Sequence, residues 1–349
     1  MPYFLDQKKH TIQGLLGRLK NAIYTEVAPL DVTAWVTTEP VPFADKQSGK
    51  EIVVEPGDKW GDLFDCAWFR FTGTVPAEAA GKQIVLLIDI NGEALVVDEA
   101  GNPRQGLTNV SSGYDYSLGE PGKRVVPIAD SAAGGEAIEL WADAGCNDLF
   151  GNLQNNGTLK EARIAICHPQ MHALFYDYEV LHELMTQLPE DSARWQRIWA
   201  ALNATAAVLD RFTEDEATAA RAMLAPELVK QGGDPSLTIS AIGHAHIDLG
   251  WLWPIRETFR KGARTFATAL RFMEQYPDYH FGASQPQLFQ WMKDYYPTVY
   301  EEMKARIAEG RFEVQGAMWV EADTNVPSGE SLVRQVLHGK LVIEGNISG

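Results

Sequence analysis

The chain has 349 residues, of which 45% are hydrophobic and 10% aromatic, so it can build more than one packed core and is not a disordered polymer. Its formal net charge of −17 and the lack of any Lys/Arg-rich run exclude nucleic acid and anionic membrane surfaces as partners. Three widely spaced cysteines, an N-terminus without a signal-peptide core and no membrane-length apolar run predict a soluble cytoplasmic protein.

The first predicted element is a helix, followed by a β-rich region. Ile12, Leu15, Leu16, Leu19 and Ile23 recur at helical spacing on one face. After Pro29, short β-branched or alternating runs predict strands at 68–75, 83–90, 94–97, 124–128, 137–141 and 162–166. Many short strands separated by Gly, Pro and Asn indicate an all-β sandwich-like domain, which with the leading helix occupies residues 1–170.

A helical connector is predicted next, over residues 171–235. Helical patterns begin near Met171 and continue through 191–212 and 213–231. The run Gln231-Gly-Gly-Asp-Pro235 then interrupts the helical pattern and marks a domain boundary.

From residue 236, strand and helix patterns alternate. Strands are predicted at 237–242, 280–284 and 311–316, and helices at 255–276, 287–308 and 328–339. This alternation indicates the start of an α/β domain of the (β/α) barrel type. Three such units are too few for an eight-stranded barrel of ~250 residues, so residues 236–349 are expected to form an incomplete N-terminal portion of one.

The densest group of polar residues follows the first strand of this α/β domain. His244, His246 and Asp248 alternate along an extended stretch, so their side chains project to the same side. They lie just beyond the carboxyl end of a strand, which is the catalytic face of such folds. Imidazole and carboxylate groups are zinc ligands, and we predict that two of these three residues bind a metal while the third orients its neighbours.

Polar residues also follow the other two strands. Glu321 and Asp323 come after the third strand, where each could serve as metal ligand, nucleophile or general acid, the roles that carboxylates have in glycosidases. Ser284 and Gln285 follow the second strand and suit sugar hydroxyls, although Ser284 could equally cap a helix. Trp251 is predicted to be a platform for a sugar ring.

These motifs resemble those of glycoside hydrolase family 38, the α-mannosidases. The run Gly243-His-Ala-His-Ile-Asp-Leu-Gly-Trp-Leu-Trp-Pro254 resembles the opening motif of that family. The segments 319–325 and 326–331 resemble its nucleophile motif, and Ser284-Gln-Pro-Gln287 fits between the two. The resemblance is to the bacterial and fungal vacuolar branch, which also has a β-rich region and a helical connector before its barrel, and it extends to about Lys340.

The resemblance implies a retaining α-mannosidase with one zinc ion, or another divalent metal in its place, per complete site. His246, Asp248 and Asp323 are the implied zinc ligands, and Asp323 is also the implied nucleophile. Trp251 is implied to lie under the sugar ring. The further candidate residues are Trp319 for substrate binding and, in supporting roles, His244, Gln285 and Glu321. The implied partners are α-mannoside oligosaccharides and further copies of the chain in a homo-oligomer.

The family places a fourth zinc ligand and the general acid/base on later strands. We therefore expect this chain to be a truncated part with little activity of its own. Residues 341–349 also do not resemble the continuation of the family sequence.

Two alternatives remain open on the residues alone. A metal-dependent amide or ester hydrolase barrel also carries two alternating histidines after its first strand, and it would use a metal-bound water as nucleophile. A non-catalytic carbohydrate-binding or assembly module would instead use the β-rich half of the chain.

Overall fold

The computed structural model describes residues 12, 14–109, 123–147, 157–230 and 238–347. Within these ranges a helix over residues 14–21, α1, comes first. It is followed by the strands β1 (Tyr24–Pro29), β2 (Asp31–Thr37), β3 (Lys50–Val53), β4 (Cys66–Thr74), β5 (Gln83–Asp89), β6 (Glu93–Val97), β7 (Pro103–Leu107), β8 (Val125–Ala129), β9 (Ala137–Gly145) and β10 (Glu161–Cys167). The remaining elements are α2 (Pro169–Thr186), α3 (Ala193–Ala206), α4 (Glu214–Leu228), β11 (Gly243–His244), α5 (Ile255–Gln275), β12 (Phe281–Ala283), α6 (Pro286–Tyr295), α7 (Pro297–Ala308), β13 (Phe312–Val314) and α8 (Gly329–Val342).

The first ten strands form two antiparallel sheets. Their orders are β1-β10-β5-β8 and β3-β2-β4-β9-β6-β7. One core joins them, with Leu86 and Ile164 from the first sheet packed in the same cluster as Phe69 and Phe71 from the second. In β4 and β5, alternate residues supply this core, as expected where two sheets share one apolar layer. The prediction of a β-rich region is therefore confirmed.

Sequence reasoning missed β1, β2, β3 and β7. Three of these lie at sheet edges, where one neighbour strand is absent within the described chain. The edge strands β1 and β3 contain no fully buried residue, so they show no clear alternation of apolar side chains. Strand β7 begins with Pro103 and contains Gly106, both of which disfavour a strand by propensity.

The helices α1 to α4 share a core of their own. The predicted apolar face of α1 is confirmed, since Ile12, Leu15 and Leu19 are buried. They pack with residues of α2 to α4, such as Leu174 and Ile198, so α1 joins the helical connector rather than the two sheets. The predicted boundary at 231–235 lies outside the described residues.

The last part of the described chain contains a parallel sheet of order β11-β12-β13 with helices between its strands. The strand predicted at 237–242 is wrong over its described residues, because Ile239 is 84% exposed and pairing begins only at Gly243. The helix predicted at 287–308 is two helices, since Pro297 cannot donate the hydrogen bond that would continue α6 into α7. Helix α8 runs to Val342 and ends in a π-helical turn. The barrel itself stays a prediction.

Helix α5 joins this parallel sheet to the six-stranded sheet. Its apolar residues Phe266 and Leu270 pack in one cluster with Leu95 of β6. Strand β7 approaches α5 closely at Gly106, whose backbone N–H donates to Thr268 Oγ1 at 2.9 Å. A Cβ atom added at Gly106 would lie 3.0 Å from Arg264 Cβ. The two regions are therefore in direct contact.

Charged side chains are buried at the same contact. We call them the interface network, and its members are Glu93, Asp143, Glu257, Arg260, Lys261 and Arg264. Arg260 donates to Asp143 and to Glu257, and Arg264 donates to Glu93 and Glu257. Lys261 pairs with Glu93. Three carboxylates thus face three cations, which makes the network neutral.

The last two general features are the state of the cysteines and the character of the helices. Cys66, Cys146 and Cys167 form no disulfide, and burial raises the pKa of Cys146 to about 12. Within the described parts of the chain, none of the helices combines the length and apolar character that crossing a bilayer requires.

Candidate active site

Three loops meet at the carboxyl edge of the parallel sheet. They follow β11, β12 and β13, and we call them loop 1 (residues 245–254), loop 2 (284–285) and loop 3 (315–328). Because β11, β12 and β13 run parallel, all three loops leave the sheet on the same side. This placement brings together residues that are up to 75 positions apart in the sequence.

His246 lies at the centre of this site and contacts two carboxylates. Its Nε2 atom is 3.0 Å from Asp248 Oδ1, within loop 1. Its Nδ1 atom forms a hydrogen bond with Glu321 of loop 3. Partial burial acts to lower the pKa of His246, but the hydrogen bonds to Asp248 and Glu321 outweigh it and raise the pKa above its usual value. The sequence spacing therefore identified residues that do converge.

Glu321 connects all three loops. One of its oxygens accepts a hydrogen bond from Ser284 of loop 2, and the other contacts His246 of loop 1. Burial acts to raise the pKa of Glu321, but these two hydrogen bonds lower it below the usual range of a glutamate. Ser284 therefore holds a carboxylate in place and does not cap helix α6.

The donor chemistry of the site suits zinc, and one pair of donors is already adjacent. Neighbouring ligand atoms of a tetrahedral zinc ion lie about 3.3 Å apart, because each bond is about 2.0–2.2 Å long. His246 Nε2 and Asp248 Oδ1, at 3.0 Å, are close to that spacing. Asp248 and Glu321 contact different nitrogens of one ring, and among the described residues no group of three His, Cys, Asp or Glu side chains is arranged to hold a metal.

Asp323, the third implied ligand, lies two residues after Glu321 in loop 3. Its side chain is exposed, and its Oδ1 atom accepts a hydrogen bond of 2.7 Å from the backbone N–H of Asn325. The structure places Asp323 on the same loop as the cluster, without a contact to His246 or Asp248 among the hydrogen bonds of the described residues.

The other candidate residues differ in exposure. His244 is exposed at the end of β11, and Trp251 is about half exposed with its ring edge-to-face against Trp253, at a centroid distance of 5.6 Å. Trp319 is half-buried in loop 3. Gln285 is buried, and its side-chain amide donates to the Ile247 carbonyl at 2.9 Å rather than facing solvent.

Sequence reasoning missed Gln335, which lies on α8. Its backbone carbonyl accepts from the Trp319 N–H, and its side-chain oxygen accepts from the Val320 N–H, both at 2.8 Å. Gln335 belongs to no motif of the sequence, so only the packing of α8 against loop 3 shows this contact.

Two family models match the chain. Residues 236–348 match the model described as "Glycosyl hydrolases family 38 N-terminal domain". Residues 28–175 match the model described as "Alpha-mannosidase, jelly roll domain". A jelly roll consists of two packed antiparallel sheets, in agreement with the two sheets that share one core here.

Known proteins with similar sequences carry matching names. Alpha-mannosidase 2C1 of Mus musculus is 31% identical over 332 residues, which is 92% of this chain and 31% of that protein. Alpha-mannosidase 2C1 of Homo sapiens is 32% identical over 338 residues, which is 92% of this chain and 31% of that protein. An alpha-mannosidase of Saccharomyces cerevisiae is 29% identical over 307 residues, which is 80% of this chain and 27% of that protein. The chain spans about a third of the length of the curated relatives it matches.

Proposed function

Because the chain belongs to glycosyl hydrolase family 38, we propose that it carries part of a retaining, zinc-dependent α-mannosidase that hydrolyses terminal α-mannosides. In this proposal residues 1–170 contain the β-sandwich-like domain, residues 171–235 the helical connector, and residues 236–349 the N-terminal portion of a (β/α) barrel. The names of the relatives support the substrate class, and they give no support to an amide hydrolase.

The observation that carries the proposal is the contact of His246 with Asp248 and Glu321 across loops 1 and 3. In the proposed site His246, Asp248 and Asp323 hold zinc, which supplies Lewis acidity and a template for sugar hydroxyls when bound. Glu321 accepts the hydrogen bond from Nδ1 and so keeps the Nε2 atom directed toward Asp248, as carboxylates commonly do for metal-binding histidines.

Asp323 is the proposed nucleophile. Its carboxylate attacks the anomeric carbon of a terminal α-mannoside, and the bond to the leaving oxygen breaks as a general acid protonates that oxygen. Water then cleaves the glycosyl-enzyme and releases mannose with retained configuration. Trp251 and Trp319 contact the sugar, and His244 supports the cluster. Since only one of the two required carboxylates is assigned here, we expect the chain alone to hydrolyse ordinary mannosides slowly or not at all.

A trapping experiment tests the nucleophile in this chain without the general acid. A 5-fluoro-α-mannosyl fluoride loses fluoride, which needs no protonation, so the first step depends on the nucleophile alone. With zinc present, we expect mass spectrometry to find a covalent sugar on the peptide that contains Asp323, and none in Asp323→Ala. A folded, zinc-loaded chain that forms no adduct, or forms it elsewhere, would contradict the assignment.

Metal content tests the proposed ligands separately. Elemental analysis of the purified chain should give about one zinc per chain, and His246→Ala should lose it. The matched control is His280→Ala, since His280 is exposed and, among the described contacts, its side chain bonds only to the Asp278 carbonyl. Equal zinc in both variants would exclude His246 as a ligand.

Homo-oligomerisation and a cytoplasmic location stay predictions.

A further inference from the structure

Two glutamines outside the ligand set hold the loops that carry it. We propose that Gln285 and Gln335 are positioning residues, each of which holds one half of the site: Gln285 holds loop 1 with His246 and Asp248, and Gln335 holds loop 3 with Glu321 and Asp323. The inference deepens the proposed function and rests on it for the identity of the ligands.

Gln285 has a strained backbone and a buried polar side chain. Its φ of +68° lies in the left-handed region, and it precedes Pro286, which restricts its backbone further. Such conformations cost of order 1–3 kcal/mol and persist only where the surroundings enforce them. The side chain is 3% exposed, and its amide donates to the carbonyl of Ile247, the residue between His246 and Asp248. The strain therefore coincides with the bond that fixes loop 1.

Gln335 acts on loop 3 from helix α8. Its backbone carbonyl accepts a hydrogen bond from the Trp319 N–H, and its side-chain oxygen accepts one from the Val320 N–H, immediately before Glu321. Helix α8 lies so close to the loop that a Cβ atom at Gly339 would be 1.8 Å from the Ala317 carbonyl oxygen. The Trp319 carbonyl in turn accepts from the Gln287 N–H at 3.2 Å, so loop 3 is also tied to α6.

This arrangement explains how exposed ligands are held in place. Strand β11 has only two residues, so loop 1 receives little order from the sheet itself. The two amide side chains bond to the backbone of loops 1 and 3 and not to the ligand atoms themselves. Supporting groups of this kind determine how well a site is preorganised.

The test is amide hydrogen exchange in four variants of the chain. Gln285→Asn keeps a residue type that tolerates a left-handed backbone, but its amide is one methylene too short to reach Ile247. Gln335→Met removes the side-chain acceptor, and Gln335→Glu keeps one. Gln290→Met is the control on α6, because the half-buried Gln290 side chain bonds only to Asp294, at 2.8 Å, within the described part of the chain.

We expect exchange at least ten times faster in peptides covering 244–250 for Gln285→Asn and in peptides covering 317–325 for Gln335→Met. Gln335→Glu and Gln290→Met should stay within twofold of the parent chain. Exchange that is unchanged in both loops, or that rises equally in peptides of α5 and the two large sheets, would overturn the proposal.

Zinc titration then separates this inference from the proposed function. If the parent chain binds zinc, the apparent dissociation constant should rise at least tenfold in Gln285→Asn and Gln335→Met and stay unchanged in Gln335→Glu. A parent chain that binds no zinc would defeat the proposed metal site, whereas the exchange results alone would still decide whether the glutamines hold the loops.

Discussion

The interface network and the candidate active site use the same kinds of side chain in opposite ways. In the network every side chain is 13% exposed or less, and three carboxylates are balanced by three cations. At the site His246 is 51% exposed, Asp248 43% and Glu321 38%, and two carboxylates share one imidazole. Balanced, buried charges hold two regions together, whereas accessible charges with an excess of carboxylate suit an incoming cation.

The largest expected effect comes from breaking the network. Arg260→Met leaves Asp143 and Glu257 without their shared partner, and an unpaired buried charge costs about 3–5 kcal/mol. Chemical denaturation should show this loss in the free energy of unfolding. Arg306→Met, which removes the surface pair with Glu309, should lose less than about 1 kcal/mol. Similar losses in the two variants would mean that burial does not distinguish these pairs.

Zinc binding should give the next largest change in stability, and only in chains whose candidate site is intact. A ligand at a hundredfold excess over its dissociation constant stabilises the folded state by about 2.7 kcal/mol. We expect thermal denaturation to show this gain in the parent chain and not in His246→Ala. A gain of equal size in that variant would place the bound metal elsewhere.

A smaller loss is expected where β7 meets α5. Gly106→Ala adds a Cβ atom 3.0 Å from Arg264 Cβ and 3.1 Å from its carbonyl oxygen, and such overpacking costs about 1–3 kcal/mol. Gly329→Ala is the matched control, because a Cβ there has nothing within 4 Å. Denaturation midpoints compare the two, and an unchanged midpoint in Gly106→Ala would show that the contact relaxes freely.

The smallest change in the free energy of unfolding should be that of His246→Ala in the absence of metal. Pairs this exposed contribute about 0–1 kcal/mol, so the unfolding free energy should change little while zinc binding is lost. A loss comparable with that of Arg260→Met would show that His246 has a structural role.

Sequence patterns predicted most of the central strands, although not β2, and most helices, because those elements carry apolar side chains at regular spacing. They failed at edge strands such as β3, whose side chains are largely exposed, and at Pro297, where one helical pattern spans two helices. In the site the spacing of His246 and Asp248 was informative, because both lie on one loop. The contact with Glu321 depends on the order of three parallel strands, and that with Gln335 on how α8 packs.

The interface network could not be predicted from the sequence either, because its contacts also depend on how distant elements pack. Glu257, Arg260, Lys261 and Arg264 recur at helical spacing, which is typical of a solvated helix face. Their partners Glu93 and Asp143 lie more than 110 residues earlier.

The buried charges on α5 also determine whether parts of the chain can be produced separately. The two family matches, 28–175 and 236–348, suggest two pieces that could be produced separately. Cutting between them would leave Arg260, Lys261 and Arg264 on one piece with Glu257 as their remaining partner in the network. Glu93 and Asp143 would lie on the other piece, separated from the cations that they pair with here. We therefore expect the two matched segments to depend on each other for stable folding. Expression vectors for residues 236–348 should retain residues 28–175 in the same polypeptide.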